Sequence, residues 1–169
     1  VADTFEGYDF PIIRYAEVLL NYAEAMYELG TTGKALDDAL NISLNLVRLR
    51  VNPDMPKLTT SFASENSLNM REEIRRERTI ELYNEGFRVD DLKRWNTAIV
   101  EMPKPILGVK WTGTDFATSW AGASNMAKDS DGCLILENSR RWGSKNDLYP
   151  LPVDQCQLNP NLGQNPGWQ

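Results

Sequence analysis

Histidine is wholly absent from this 169-residue chain. That removes the commonest general base, the commonest zinc ligand and every Ser-His or Cys-His pairing. Cysteine occurs only as Cys133 and Cys156, which is neither a disulfide framework nor a zinc-site spacing. Two readings remain for the pair: small buried hydrophobes, or a Cys133–Cys156 bridge formed in an oxidising compartment. No apolar run is long enough to span a bilayer. No glycine-rich phosphate loop occurs, because Gly108, Gly113 and Gly122 lack the spacing. Positive charge is in deficit, with 18 Lys and Arg against 24 Asp and Glu and a net charge of −6. Lys104, Lys110 and Lys145 are scattered rather than striped, so nucleic acid is not expected as a partner. The chain begins at Val1 rather than Met and shows no signal peptide,. The stretch Val1 to Asp9 reads as the middle of something, which leads us to expect a piece of a longer exported protein.

What is present suits a soluble globular body. Hydrophobic residues make up 41% and charged residues 25% of the chain, and a domain of this length buries roughly 70% of its unfolded surface. Helical periodicity dominates the first hundred residues. Asp9 is expected to cap a first helix with Pro11 in its first turn. Ile12, Ala16, Leu19, Ala23 and Met26 form one apolar row, and Tyr15, Val18, Tyr22, Ala25 and Leu29 form a second. Arg14, Glu17, Asn21, Glu24 and Glu28 form a polar row, so the helix is expected to pack on two sides. Gly30 is placed for a left-handed cap. A second helix is predicted over 34–51, with Ala35, Leu36, Ala39, Leu40, Leu44 and Val47 on its apolar face, stopped by Asn52-Pro53. So short a connection predicts a helical hairpin of tetratricopeptide-like architecture.

A polar linker is predicted over 53–66. Asn69, with Glu72 three residues on, predicts a capped helix to about Asn84, broken at Gly86 and followed by a shorter one through Asp90, Leu92 and Trp95. Glu77, Arg78, Glu81 and Glu85 lie close on that surface. They are either a solvated, ion-paired face or a partly buried Arg–Glu network joining the helix to the rest of the protein. From Met102 to Asp147 the helical period is lost, with short strands expected at Ile106–Thr112 and Leu134–Glu137. The segment from Leu148 to Gln169 is expected to wrap the helices as extended chain, anchored by Leu151, Val153, Leu158, Leu162 and Trp168. The expected fold class is therefore mainly α: helical hairpins over 1–100, an irregular loop region over 101–148 and a closing tail over 149–169.

Catalytic constellations are missing. Ser124 has no nucleophile-elbow context. Adjacent carboxylates such as Asp37-Asp38, Glu72-Glu73 and Asp90-Asp91 point about 100° apart on a helix, so they do not jointly flank a bond. Asp129-Ser130-Asp131-Gly132 has the look of a calcium-loop centre, but Ala127 and Asn138 would occupy its first and last ligand positions. A turn is the expectation, with no metal and no cofactor. Tryptophan is the sharper signal. Trp111, Trp120 and Trp142 all fall in the irregular region, where an open indole face suits stacking on a sugar ring while Asp115, Asn125, Asn138 or Asn146 bond its hydroxyls. The competing reading is that these indoles pin a long loop onto the helices. Trp95 and Trp168 are expected in the core.

Three blocks carry a resemblance. They are Pro11-Ile12-Ile13-Arg14-Tyr15-Ala16-Glu17 with its continuation to Ala25, Glu77-Arg78-Thr79-Ile80-Glu81 running on to Arg88 and Asp91-Leu92-Lys93-Arg94-Trp95, and Tyr149-Pro150-Leu151-Pro152 with Asn159-Pro160 and Asn165-Pro166-Gly167-Trp168. Their order resembles the C-terminal portion of the SusD/RagB family, surface glycan-capture lipoproteins of Bacteroidetes. Tyr83-Asn84 departs from the family's usual apolar residues there. The resemblance implies a non-enzymatic glycan- or nutrient-binding component, lipid-anchored at the outer membrane of the cell surface. It further implies that a TonB-dependent transporter receives the oligosaccharide or polysaccharide, and that an N-terminal remainder completes the protein. It assigns no binding residue. The alternative it leaves is a helical docking scaffold whose sugar contacts lie elsewhere. A hydrolase is the remote third.

Overall fold

The computed structural model describes residues 12–168. It is mainly helical, with one two-stranded sheet among the described residues, and it divides between Arg88 and Val89 into two compact units. The predicted Asp9 cap and Pro11 lie outside the described residues.

The first unit holds α1 (Tyr15–Glu28), α2 (Gly33–Asn41), α3 (Leu44–Val51), α4 (Thr60–Glu65) and α5 (Met70–Glu81). Ile12 and Ile13 are not helical, so α1 starts later than its apolar period suggests. Arg14 takes an extended conformation ahead of the helix, which frees its guanidinium to reach the end of α5. At the far end Gly30 adopts a φ of 81°. Its N–H reaches the Tyr27 carbonyl and the Thr31 N–H reaches Met26, the paired bonds of a glycine-terminated helix.

The single helix predicted over 34–51 is broken in two. Ser43, fully buried, donates its hydroxyl to the Ala39 carbonyl at 2.6 Å and leaves the helical conformation. Asn45 then accepts from the Leu58 N–H at 2.7 Å and donates to the Leu58 carbonyl at 3.0 Å. Short polar side chains that bond nearby backbone compete with the helix ladder in this way. The predicted linker is likewise not featureless. Leu58 is in the core, and Thr59 caps α4 by accepting from the Phe62 N–H. Asn69 caps α5 as expected, accepting from the N–H groups of Arg71 and Glu72. That helix stops at Glu81, short of Asn84. The core gathers Leu20, Ala23, Leu36, Leu40, Leu44, Leu58, Ile74 and Leu82, with α1 packed on α2, α3 and α5.

The second unit contains α6 (Arg88–Arg94), which starts at the divide, α7 (Ala98–Glu101), β1 (Ile106–Lys110), α8 (Phe116–Ser119), β2 (Cys133–Glu137) and α9 (Val153–Leu158), with two short 3₁₀ turns. Leu92, Trp95 and Ala98 form its core, with Met102 and Trp142 packed against them. β1 and β2 pair antiparallel in the predicted places. The tail is not simply extended, since it contains α9, and Val153, Leu158 and Leu162 are exposed rather than anchoring. Trp168 is half-buried, and its indole N–H is shared between the carbonyls of Lys145 and Leu148. Cys133 and Cys156 are unbridged and half-buried, so neither expectation for them holds in full.

Candidate functional site

The irregular excursion is built on the β1–β2 hairpin. Gly132, at a φ of 82°, offers its carbonyl to the N–H groups of Trp111 and Thr112. This places Trp111 at the hairpin base, where it is 5% exposed, with the Lys128 ammonium 5.7 Å from its ring centre. Asp129 organises the loop ahead of β2, accepting through Oδ1 from the N–H groups of Asp131 and Cys133. The Asp129–Gly132 segment is thus a side-chain-closed turn. Among the described residues no group of three or more Cys, Asp or Glu is placed to hold a metal.

Trp120 has the opposite environment. It follows α8 directly, its N–H bonded to the Phe116 carbonyl, and its side chain is 63% exposed. Asp115 precedes the same helix, is exposed, and accepts through its backbone carbonyl from the hydroxyls of Thr118 and Ser119. Asn125 is exposed in the following turn. A series of turn hydrogen bonds from Asp115 to Met126 links these three into one run of chain. Trp142 is elsewhere in the unit. It is half-buried against the Leu92–Trp95–Ala98 core and donates its indole N–H to Asp147 at 2.9 Å. Trp111 and Trp142 therefore hold loops in place, and Trp120 offers an open face.

Two aromatic positions escape the sequence analysis. Phe116 is half-exposed and opens α8, four residues before Trp120, which closes it. That i, i+4 pair was visible, but the surrounding loss of period concealed the four-residue helix. Tyr149 is 72% exposed, and the Lys93 ammonium lies 3.8 Å from its ring centre. Nothing in sequence links two residues so far apart.

The charged block of α5 belongs to the first unit and is structural. Arg14 donates from Nε to Glu85 at 2.9 Å and from Nη1 to Glu81 at 2.9 Å. Its Nη2 bonds both Glu85 at 2.6 Å and the Glu81 carbonyl at 3.0 Å. Arg50 adds a bond to Glu81 at 2.7 Å. The hydrogen bonds it donates to Glu85 and then Glu81 hold the Arg14 guanidinium above its ordinary range. Arg78 is buried, donates to Asn21 and lies 5.4 Å from the Phe87 ring centre. The network is partly buried, as one of the two readings held, but the partners named here lie within this chain. Glu77 has a raised carboxyl, because burial outweighs the attraction of Arg48, whose Nε is 3.7 Å away.

The model of the SusD family matches residues 2–168 of the chain. Among solved structures, the chain is similar to a SusD-like carbohydrate binding protein from Bacteroides fragilis, with 31% identity over 90% of this chain and a TM-score of 0.66. It is also similar to the selenomethionine form of BT4246, with 27% identity over 96% of this chain and a TM-score of 0.67. The chain spans 28% and 25% of the lengths of those two proteins. No curated protein gives a significant match.

Proposed function

Because the chain belongs to the SusD family, we propose that it forms part of a carbohydrate-binding protein that grips an oligosaccharide or polysaccharide and passes it on chemically unchanged. The observation that carries this reading is Trp120, an indole left 63% exposed on the excursion of a chain 31% identical to a SusD-like carbohydrate binding protein. An open indole face is flat and apolar with a polar edge, which matches the alternating C–H face and hydroxyl rim of a sugar ring. Asp115 and Asn125 supply hydroxyl partners from the same run of turns. Trp111 and Trp142 serve by fixing the loops that carry that face.

The full-length protein, on this reading, is lipid-anchored at the outer-membrane surface and delivers cargo to a TonB-dependent transporter. No reaction is assigned. With no histidine in the chain, the commonest acid–base group is missing, and Arg14, Arg50, Glu81 and Glu85 of the first unit are bonded to one another. A second reading, in which the helices are a docking scaffold and sugar contacts lie outside this chain, draws support from the open apolar row of α1.

The test is intrinsic tryptophan fluorescence of the full-length protein titrated with starch, xylan and mannan oligosaccharides. The expected result is a saturable change with at least one of them and a roughly tenfold weaker affinity in Trp120→Ala, equivalent to about 1.4 kcal/mol. Trp120→Ala binding as tightly as the parent would remove the site. Release of reducing ends from any of these glycans would overturn the non-catalytic reading.

A further inference from the structure

Among the described residues, the backbone hydrogen bonds of the turns from Ala117 to Met126 all reach back three or four residues. A loop held by such local bonds, with its side chains largely in water, opens at low cost. Directly after it the chain becomes firm. The Ile135 N–H donates to the Ala127 carbonyl at 2.8 Å, and the Asp129 N–H donates to the Cys133 carbonyl at 3.0 Å. Between them Lys128 bridges Leu134, which is 3% exposed. Residues 127–129 therefore run antiparallel beside β2, and Lys128 is planted on the hairpin by its backbone.

The Lys128 side chain turns from that support back onto the loop. Its ammonium donates to the Ser124 carbonyl at 2.8 Å and to the Met126 carbonyl at 2.9 Å. These are the two carbonyls that flank Asn125, whose own side chain is exposed. The same ammonium lies 5.7 Å from the ring centre of the buried Trp111. An ammonium has three donors, and two of them are engaged by the turn while the charge rests near an indole ring. Lys128 can meet an anionic ligand only by letting go of the turn. From Thr112 to Ala127 the chain holds one charged side chain, the exposed Asp115, and its carboxylate repels anions. The surface around Trp120 is therefore matched to hydroxyls without formal charge.

We infer that Lys128 is a positioning residue: its ammonium locks the Asn125 turn to the β1–β2 hairpin, and the site held in this way takes an uncharged glycan. The inference rests on the reading of Trp120 as a sugar-stacking face, and it names the group that fixes the polar partner of that face. Hydrogen bonds from a charged donor are roughly twice as strong as neutral ones, so two of them outweigh the looseness of the local turns. A loop ordered before the ligand arrives loses less freedom on binding, and affinity rises accordingly. The compact ammonium suits this task, since it can serve two carbonyls at once where the planar fork of an arginine is bound to one geometry.

The test uses the full-length protein and Lys128→Met, which removes the ammonium and keeps an unbranched stem. Amide hydrogen exchange is read first, with no glycan present. The Met126 amide, bonded to the Ala123 carbonyl, should exchange about tenfold faster in Lys128→Met, with the Ile135 amide at the parent rate. Equal rates at Met126 would overturn the inference. So would acceleration at both amides, which would make Lys128 a general brace of the hairpin. Calorimetry then compares starch, xylan and mannan oligosaccharides with oligogalacturonate. Lys128→Met and Asn125→Ala should each weaken binding of the preferred neutral glycan roughly fivefold, and the double variant should be no weaker than either, because both remove one contact. Losses that multiply in the double variant, or tighter binding of oligogalacturonate than of the neutral glycans, would overturn it. Trp120→Ala binding like the parent, with the Lys128 and Asn125 losses intact, would remove the stacking face alone. A parent that binds none of these glycans would end the sugar reading, while the exchange rates still decide the clamp.

Discussion

Arg14 makes four hydrogen bonds to residues 67 and 71 positions later in the chain. Bonds to charged groups are worth about 1.5–3 kcal/mol each when their partners are left desolvated. Since Arg14 and Glu85 are only partly buried, Arg14→Met should cost about 2 kcal/mol in urea unfolding. Glu77 behaves differently. Its folded carboxyl titrates above the ordinary value of 4.5 because burial disfavours the charge. The folded state therefore holds that proton more tightly than the unfolded state. The associated stability is fully present below 4.5 and is lost as pH rises through the raised value. Glu77→Gln removes this dependence. The urea midpoint of the variant should accordingly gain on the parent from pH 4 to pH 7, and a constant difference would disprove the assignment. Residue-level legibility followed distance in sequence. The Asn69 cap could be read because the N–H groups that donate to it are two and three residues away. Arg14 could only be placed in a polar row, because nothing local points to Glu81 and Glu85.

Among the elements, periodicity located the helices and missed their interruptions. Leu36, Ala39, Leu40, Leu44 and Val47 are buried as their spacing predicts, yet they belong to two helices. The deciding groups, Ser43 and Asn45, were hidden because their side-chain bonds outweigh a propensity difference of a few tenths of a kcal/mol. Asn45→Ala would strip Leu58 of both backbone partners in a fully buried place. A loss of about 2–4 kcal/mol by chemical denaturation is expected. In the β hairpin, a Cβ at Gly132 would lie 2.5 Å from the Thr112 Cβ at a φ of 82°. Gly132→Ala should therefore lower stability of the second unit by about 1–3 kcal/mol, and Trp111 fluorescence should shift to the red as the hairpin base opens. α9 was unreadable because its six residues lie between prolines and asparagines and bury no apolar stripe.

For the molecule as a whole, the mainly helical class was legible in the helical period of the first hundred residues, and the family in the three blocks that carry the resemblance. The candidate sugar site was half legible. Tryptophan count and position named Trp111, Trp120 and Trp142, but only packing separates an indole that pins a loop from one that faces out. The two apolar rows of α1 were plain in the sequence, and the described structure covers one of them. This contrast has a direct measure. Leu20→Ala, on the covered side of α1 and fully buried, should cost about 2–5 kcal/mol in the 169-residue chain. Val18→Asp, in the open row, should stay within about 0.5 kcal/mol of the parent there. A large loss from Val18→Asp in the isolated chain would mean the row is already occupied. The pairing of α1 with α5 also sets a timetable. During synthesis, Arg14 emerges about 70 residues before Glu85, a lag of several seconds at ribosomal speeds of about 5–20 residues per second. Through that interval α1 can pack on α2 and α3, while the side that α5 covers stays open. The first unit thus reaches its final packing only once its latecoming helix has left the ribosome.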